Sequence, residues 1–389
     1  MSQLLIVGGC LLVVLLLLWI ERLVVNTVRS TIPLRLVVIG TRGKTSVTRL
    51  IAAGLREAGI RTLAKTTGSE ARVIFPDGDE QPVRRFGLNT PLEQRRVLRL
   101  AARHDCDAAV IEAMSIRPES LRAELGRIIS PHVVVVTNTH RDHVADMDDP
   151  ATAFADAIPG GSIALLPKGF PRVEQERLQQ RNVTIRLSND ESLAQQYLTR
   201  FSHAEWAPNL ALALAACAQA GVSTEKALPG MIKARMDVGR LEAWILRSEK
   251  TSVSWLAINA FATNDPHSAL AALELALERW TSSARTVVGL LNLRRDRGDR
   301  TYQWMEALDA LRGRFDYLIV CGATPMSAER RLRSLYGECL AVVRSADPMR
   351  ILQEAEKLSP EGGVLFGFGN IGGGGIRILD FWQGTGEAV

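Results

Sequence analysis

Gly40-Thr41-Arg42-Gly43-Lys44-Thr45 is the segment whose residue types and spacing point most directly to chemistry. It stands between an apolar, β-branched run at 34–39 and a stretch of helical periodicity from Thr45 to about Ala58. Glycines there let backbone N–H groups converge on phosphate oxygens, and the following helix turns its positive end toward them. Lys44 is spaced to reach the β- and γ-phosphates of a nucleotide, and the Thr45 hydroxyl is a ligand for Mg²⁺. The spacing departs from the general G-x-x-x-x-G-K-[ST] form, because Val38 occupies the first glycine position. The plain alternative, a tight turn with a solvated lysine, leaves the agreement of strand, turn and helix unused.

Glu112 closes the apolar run 107–111, which puts a carboxylate at a strand end on the same edge as the loop, where it can ligate Mg²⁺. A further strand, 132–137, runs into Asn138-Thr139-His140-Arg141-Asp142-His143. His140 and His143 with Asp142 and Asp146 also read as a zinc site, but no further ligands at a recognisable spacing complete it. Asp142 alone reads as a helix cap. Gly/Lys/Thr, Glu and Asp/His at three strand ends are what lift these residues above their individual alternatives.

The elements that must hold these residues follow from the pattern around them. Apolar runs at 34–39, 108–111, 133–136 and 163–166 alternate with helical stretches such as 91–103, which indicates a mainly parallel sheet covered on both faces. Helices at 209–220 and 224–233 follow, then a second alternating set with strands at 254–258, 286–291, 317–320, 340–343 and 364–366. The expected organisation is an anchor at 1–25, a P-loop α/β domain at 32–235 and a second, Rossmann-like α/β domain at 236–389. With 389 residues, 47% of them hydrophobic and 23% charged, the chain has ample material for such cores, and wholesale disorder is excluded. Five scattered cysteines without a C-x-x-C pair argue against a zinc ribbon or disulfide scaffold.

The net charge of +5 suits an acidic ligand or membrane surface. The charge is dispersed, aromatic residues make up 5%, and no reading motif is present, so nucleic acid is not an expected partner. Residues 4–20 form an uncharged apolar run that spans about 26 Å as a helix, the short end for a membrane crossing. No cation precedes the run and no small-x-small site follows it, so the reading is an uncleaved single-pass anchor rather than a signal peptide. Arg22, Arg29, Arg35 and Arg42 come after it, which places the remainder on the cytoplasmic side of the cell membrane.

These motifs together resemble the Mur ligase family of ATP-dependent amide-forming enzymes, which includes folylpolyglutamate synthase. The family's GTxGKT loop corresponds to residues 40–45, its strand-end glutamate to Glu112, and its N-x-x-x-DH segment to Asn138, Asp142 and His143. An Asn-led helix corresponds to Asn209, a GR-x-E element to Gly239-Arg240-Leu241-Glu242, a DYAH-like stretch to Asn259 through Asp265, and an RD element to Arg295-Asp296-Arg297. The apolar anchor, the segment Lys65 to Arg72, residues 292–300 and Gly367-Phe368-Gly369-Asn370-Ile371 resemble more narrowly the ligase subunits of poly-γ-glutamate synthase (the PgsB or CapB subfamily).

The resemblance implies Lys44, Glu112 and His143 as catalytic groups and Thr45, Glu112 and His143 as Mg²⁺ ligands. ATP would lie on Gly40, Thr41, Arg42, Gly43, Lys44, Thr45, Ser46 and Asn209, with Arg240, Asn259, Asp265 and Arg297 reaching it from the second domain on closure. Among the cations able to hold carboxylates (Arg42, Lys65, Arg72, Arg84, Arg85, Arg117), Lys65 and Arg72 stand out because they lie in the subfamily segment. The implied partners are glutamate and its γ-linked polymer, the membrane, a PgsC/CapC-like membrane subunit, a PgsA/CapA-like subunit and a second copy of the chain as a homo-oligomer. Two departures are visible: the helix expected at 151–158 lacks the lysine that many relatives carbamylate, and Asn259 stands where the family has Asp. The family's N-terminal nucleotide-sugar domain has no counterpart, which speaks against a peptidoglycan precursor as substrate. Two other functions compete: a ligase acting on folate or another amino-acid tail, and a P-loop ATPase that powers polymer export without forming a bond.

Overall fold

In a computed structural model, the apolar N-terminal run belongs to a continuous helix, α1 (Ser2–Ser30), that outlasts the apolar run. The structure describes all residues except 1, 69–70, 85–89, 116, 141–148, 189–190, 236, 238, 248–252, 264, 282–285, 296–297 and 324–325. The part from Ile6 to Ser30 is long and apolar enough to cross a membrane. Its last turns belong to the domain that follows: Val25 is buried, Val28 lies against the first core, and Glu21 pairs with Arg95. Arg35 was counted above with the cations flanking the span. It is buried instead, donating to the carbonyls of Arg29 (2.7 Å), Ile32 (2.8 Å), Ser130 (3.0 Å) and Ile129 (3.2 Å).

The chain forms two units, Met1–Phe201 (α1 included) with Trp206–Arg235, and Ser202–Glu205 with Met236–Val389. The first contains β1 (Leu34–Ile39), α2 (Lys44–Glu57), β2 (Thr62–Lys65), β3 (Arg72–Ile74), β4 (Glu80–Pro82), α3 (Glu93–Arg103) and β5 (Ala108–Glu112). There follow α4 (Pro118–Ala123), which runs into a π-helical turn at Glu124–Ile129, then β6 (Val133–Val136), α5 (Pro150–Ala157) and β7 (Ile163–Pro167). The unit ends with α6 (Arg172–Gln180), β8 (Thr184–Ser188), α7 (Glu191–Tyr197), α8 (Ala207–Gln219) and α9 (Thr224–Ile232).

Its sheet runs β4-β3-β2-β5-β1-β6-β7-β8. The six strands from β2 to β8 are parallel, and the β3–β4 hairpin extends the β2 edge antiparallel. β1 and β6 are apolar at nearly every position and bury both faces, as central parallel strands must. The short hairpin had no such signal, since Arg72, Glu80 and Gln81 are polar.

The second unit contains β9 (Glu242–Arg247), β10 (Ser254–Ala260), α10 (Pro266–Trp280), β11 (Val287–Leu293), α11 (Gly298–Leu311) and β12 (Tyr317–Gly322). It closes with α12 (Met326–Tyr336), β13 (Leu340–Val343), α13 (Pro348–Leu358), β14 (Gly363–Gly369), α14 (Gly374–Thr385) and β15 (Glu387–Ala388). The order is β13-β12-β11-β14-β10-β9-β15, parallel from β13 to β10 with β9 antiparallel. Packed aromatic rings from Trp304, Phe315, Phe366 and Phe368 fill one face, and Trp255, Phe261 and Trp382 the other. All five cysteines are free.

Candidate active site at one sheet edge

The strand order decides which side chains meet. β1 lies between β5 and β6, and β2 lies beyond β5, all parallel, so their C-terminal ends share one edge. Along that edge stand Thr66–Thr67, Glu112, the loop 40–45, and Thr137–Asn138. Val38 is in register with Glu112, which sets the carboxylate beside the base of the loop.

The loop is held by its neighbours. Gly40 takes φ +136°, and a Cβ there would stand 2.0 Å from Thr137 Oγ1. Gly43 takes φ +72° as it caps α2, and a Cβ would come within 2.8 Å of Asn209 Oδ1. α8 thus sets Asn209 directly against the loop. Thr137 Oγ1 and Asn138 Nδ2 (3.0 Å) both donate to the Arg42 carbonyl, and Thr41 Oγ1 donates to Asn138 Oδ1. Lys44 Nζ donates to the Gly40 carbonyl at 2.8 Å. Ser46, half-buried, lies in the first turn of α2.

Glu112 is 2% exposed, and its Oε2 accepts from Thr45 Oγ1 at 3.0 Å and from the Thr67 N–H at 2.6 Å. A hydroxyl and a carboxylate oxygen in contact at the start of a phosphate loop fit magnesium, which binds through one or two protein oxygens plus phosphate. Among the described residues no group of three His, Cys, Asp or Glu gathers for a metal. His140 is exposed. His143, the other expected ligand, and Arg297 lie outside the described residues.

Lys65 and Arg72 occupy different settings. Lys65 ends β2 with no exposed surface, and its Nζ lies 2.9 Å from Glu93 Oε1 in the first turn of α3. Burial pulls its pKa down, against the opposing pull of Glu93, Glu124 and Glu112. The carboxylate it holds is therefore one from its own chain. Arg72, half-buried, opens β3; its N–H donates to Thr66 Oγ1 (3.3 Å) and its carbonyl accepts from the Thr66 N–H (2.9 Å). Two buried residues of this edge escaped sequence reasoning altogether, Gln94 and Glu124. Both read as polar residues of exposed helix faces, and no local motif distinguishes them.

In the second unit, Asn259 is fully buried at the end of β10, donating to the Arg240 carbonyl (3.0 Å) and accepting from the Phe261 N–H (3.2 Å). Arg240 pairs with Glu242. Asp265 caps α10, accepting from the Ser268 N–H at 3.1 Å. The Gly367–Ile371 segment has a structural reason: a Cβ on Gly367 would lie 2.4 Å from the Phe261 ring. Asn370 and Asn292 bond reciprocally to each other's carbonyls, tying the ends of β14 and β11.

Comparison with known proteins matches two separate stretches of the chain. The Mur ligase middle domain model matches residues 38–154, and the poly-gamma-glutamate synthase CapB C-terminal domain model matches residues 245–385. The capsule biosynthesis protein CapB of Bacillus anthracis is 33% identical over 282 residues, which are 71% of this chain and 60% of that protein. The PGA synthase CapB of Bacillus subtilis (strain 168) is 29% identical over 282 residues, 71% of each chain. The chain thus spans about 60% of the length of the first relative. E. coli FolC, solved with ADP and without folate substrate, superposes with a TM-score of 0.66 over 94% of both chains at 18% identity, a likeness of fold. The chain thus carries a stretch similar to the Mur ligase middle domain around the phosphate loop and, after it, a stretch similar to the CapB C-terminal domain.

Proposed function

We propose that the chain is an ATP-dependent acid–amino-acid ligase that polymerises glutamate through γ-carboxyl linkages, tethered by α1 with its α/β units on the cytoplasmic side. The observation that carries the ligase reading is the single edge on which Lys44, the Thr45–Glu112 pair and Asn209 gather around the loop, in a chain whose second unit matches the CapB C-terminal domain. The polymer reading rests on the relatives named CapB and PGA synthase. The tether rests on the length and composition of α1.

The chemistry follows from an energetic requirement. A carboxylate and an amine do not condense in water without activation. The acceptor carboxylate takes the γ-phosphoryl group of ATP and becomes an acyl phosphate, releasing ADP. The glutamate amine attacks the acyl carbon, loses its proton, and phosphate leaves as the amide forms. Charge on the transferring phosphoryl group calls for fixed cations, and Lys44 supplies one. Thr45 and Glu112 would hold magnesium there, with His143 the further ligand the sequence suggests, and the ion would supply Lewis acidity. Arg72 is the candidate to hold a substrate carboxylate, since guanidinium binds it bidentately. One helix cannot enclose a polymer path, so PgsC/CapC-like and PgsA/CapA-like membrane partners belong to the proposal.

The test is ADP release by the full chain in detergent with Mg-ATP, with and without glutamate and the membrane partner, followed by mass spectrometry. Glutamate-dependent release and a ladder of glutamyl increments, both lost in Lys44→Ala and Glu112→Gln, are expected. Release indifferent to glutamate with no ladder would instead mark an ATPase.

A further inference from the structure

Behind Glu112 lies a second layer of polar groups with no exposure to solvent. Glu124 and Gln94 are both fully buried, an unusual place for an acid. Glu124 opens the π-helical turn that follows α4, and such single wide turns recur where a side chain must be re-aimed. Its Oε1 accepts from the Met114 N–H (3.0 Å) and Gln94 Nε2 (2.7 Å), and its Oε2 from the Ser115 N–H (2.9 Å). Gln94 Nε2 also donates to the Glu112 carbonyl at 3.2 Å. The chain leaving β5 is therefore gripped at residues 112, 114 and 115 by one amide and one carboxylate.

The grip matters because Glu112 ends a strand. Beyond that point the sheet no longer fixes the backbone, yet the carboxylate must meet Thr45 and Thr67 within hydrogen-bond distance. The charges point the same way. Lys65 pairs directly with Glu93, and Glu124 and Glu112 lie near enough for their charges to act on its ammonium. Glu93 is engaged by Lys65 and Glu124 by its three donors. Glu112, the member bordering the phosphate loop, is the one set to share its charge with a divalent cation.

We infer that Glu124 and Gln94 are positioning residues for Glu112, fixing the backbone from which it presents its carboxylate to the metal of the nucleotide. Among the described residues their hydrogen bonds run to each other and to the backbone of residues 112, 114 and 115. The inference rests on the reading above that Glu112 holds that metal. Partners that orient metal ligands typically change metal affinity about 10–100-fold when mutated.

The experiment uses the full chain in detergent, a non-hydrolysable ATP analogue and Mn²⁺ as the probe, with bound Mn²⁺ read by electron paramagnetic resonance. Binding of the analogue alone is measured in chelator. Glu124→Gln places an amide N–H₂ against backbone donors, and Gln94→Met removes the donor to Glu112 at similar volume. Both are expected to weaken Mn²⁺ about 10–100-fold while metal-free analogue binding changes little. Should Glu124→Gln not fold, Gln94→Met decides alone. Unchanged Mn²⁺ affinity in a folded variant overturns the inference, and so does a parallel loss of metal-free binding, which marks a general structural role. If wild type binds no Mn²⁺ with the analogue, or Glu112→Gln binds it equally well, the metal role of Glu112 itself fails and the positioning role falls with it.

Discussion

Replacing Gly40 by alanine tests whether the phosphate loop is shaped by its neighbour strand. Gly40 sits at φ +136°, a region nearly closed to residues with a Cβ, and holding one there costs about 1–3 kcal/mol. The new Cβ would stand 2.0 Å from Thr137 Oγ1, with the backbone nitrogens of Thr137 and Asn138 at 3.1 and 3.2 Å. The hydroxyl can rotate away, but only by giving up its bond to the Arg42 carbonyl, a loss of about 0.5–1.5 kcal/mol. Together these give roughly 2–4 kcal/mol of destabilisation in the first unit. Thr137→Ala alone loses the same hydrogen bond and leaves the glycine unstrained.

The double variant is therefore expected to be no less stable than Gly40→Ala, a coupling of about 0.5–1.5 kcal/mol. Tryptophan fluorescence would mix the two units, since Trp19 and Trp206 lie in the first and Trp244, Trp255, Trp280, Trp304 and Trp382 in the second. Hydrogen exchange of peptides from β1, β5 and β6 across a urea series reads the first unit directly. Gly40→Ala within about 0.5 kcal/mol of wild type, or strictly additive variants, would refute the reasoning.

Glu80→Ala removes both acceptors of a bidentate pair with the buried Arg49 guanidinium (2.6 and 3.0 Å), which braces α2 against β4. A loss of about 3–5 kcal/mol is expected by urea unfolding, largely recovered in Arg49→Met/Glu80→Leu. Arg35→Met strips four carbonyls of their donor at the junction of α1 and β1, so exchange in peptides spanning residues 26–34 should quicken while the second unit is unchanged. Lys65 is held below its ordinary 10.5 by burial first, with Glu93 opposing, so just below 10.5 the unfolded chain binds more protons. Stability should rise with pH through that window, and Lys65→Met should flatten the slope in unfolding curves. A slope unchanged in the variant would show that Lys65 is not its source.

The legible parts of the site were those with local signatures. The loop 40–45 carries its conformation in Gly40 and Gly43, and β1, β5 and β6 announce themselves because strands buried on both faces must be apolar throughout. Glu112 could be put on the right edge because parallel strands share their C-terminal ends. The hairpin β3–β4 stayed illegible, since strands of three residues each, with Arg72, Glu80 and Gln81 among them, are too short to show a period. Lys65 read as an accessible cation because sequence carries charge but not depth. Arg35 misled in the same way, a flanking positive residue that is in fact a buried donor to helix-end carbonyls.

Residue order by itself determined where the central apolar strands and the main helices lie, where the apolar helix runs, and that a nucleotide-phosphate loop precedes α2. These are consequences of short-range sterics and of hydrophobic period, both written along the chain. The tertiary structure alone decided that β1 falls between β5 and β6, with Lys65, Glu93, Gln94 and Glu124 closing behind Glu112. The contact of Thr45 with Glu112 alone joins residues 67 positions apart, and such contacts depend on strand order and burial. Neither has a signal in any window of sequence, because a buried carboxylate and a solvated one are spelled alike.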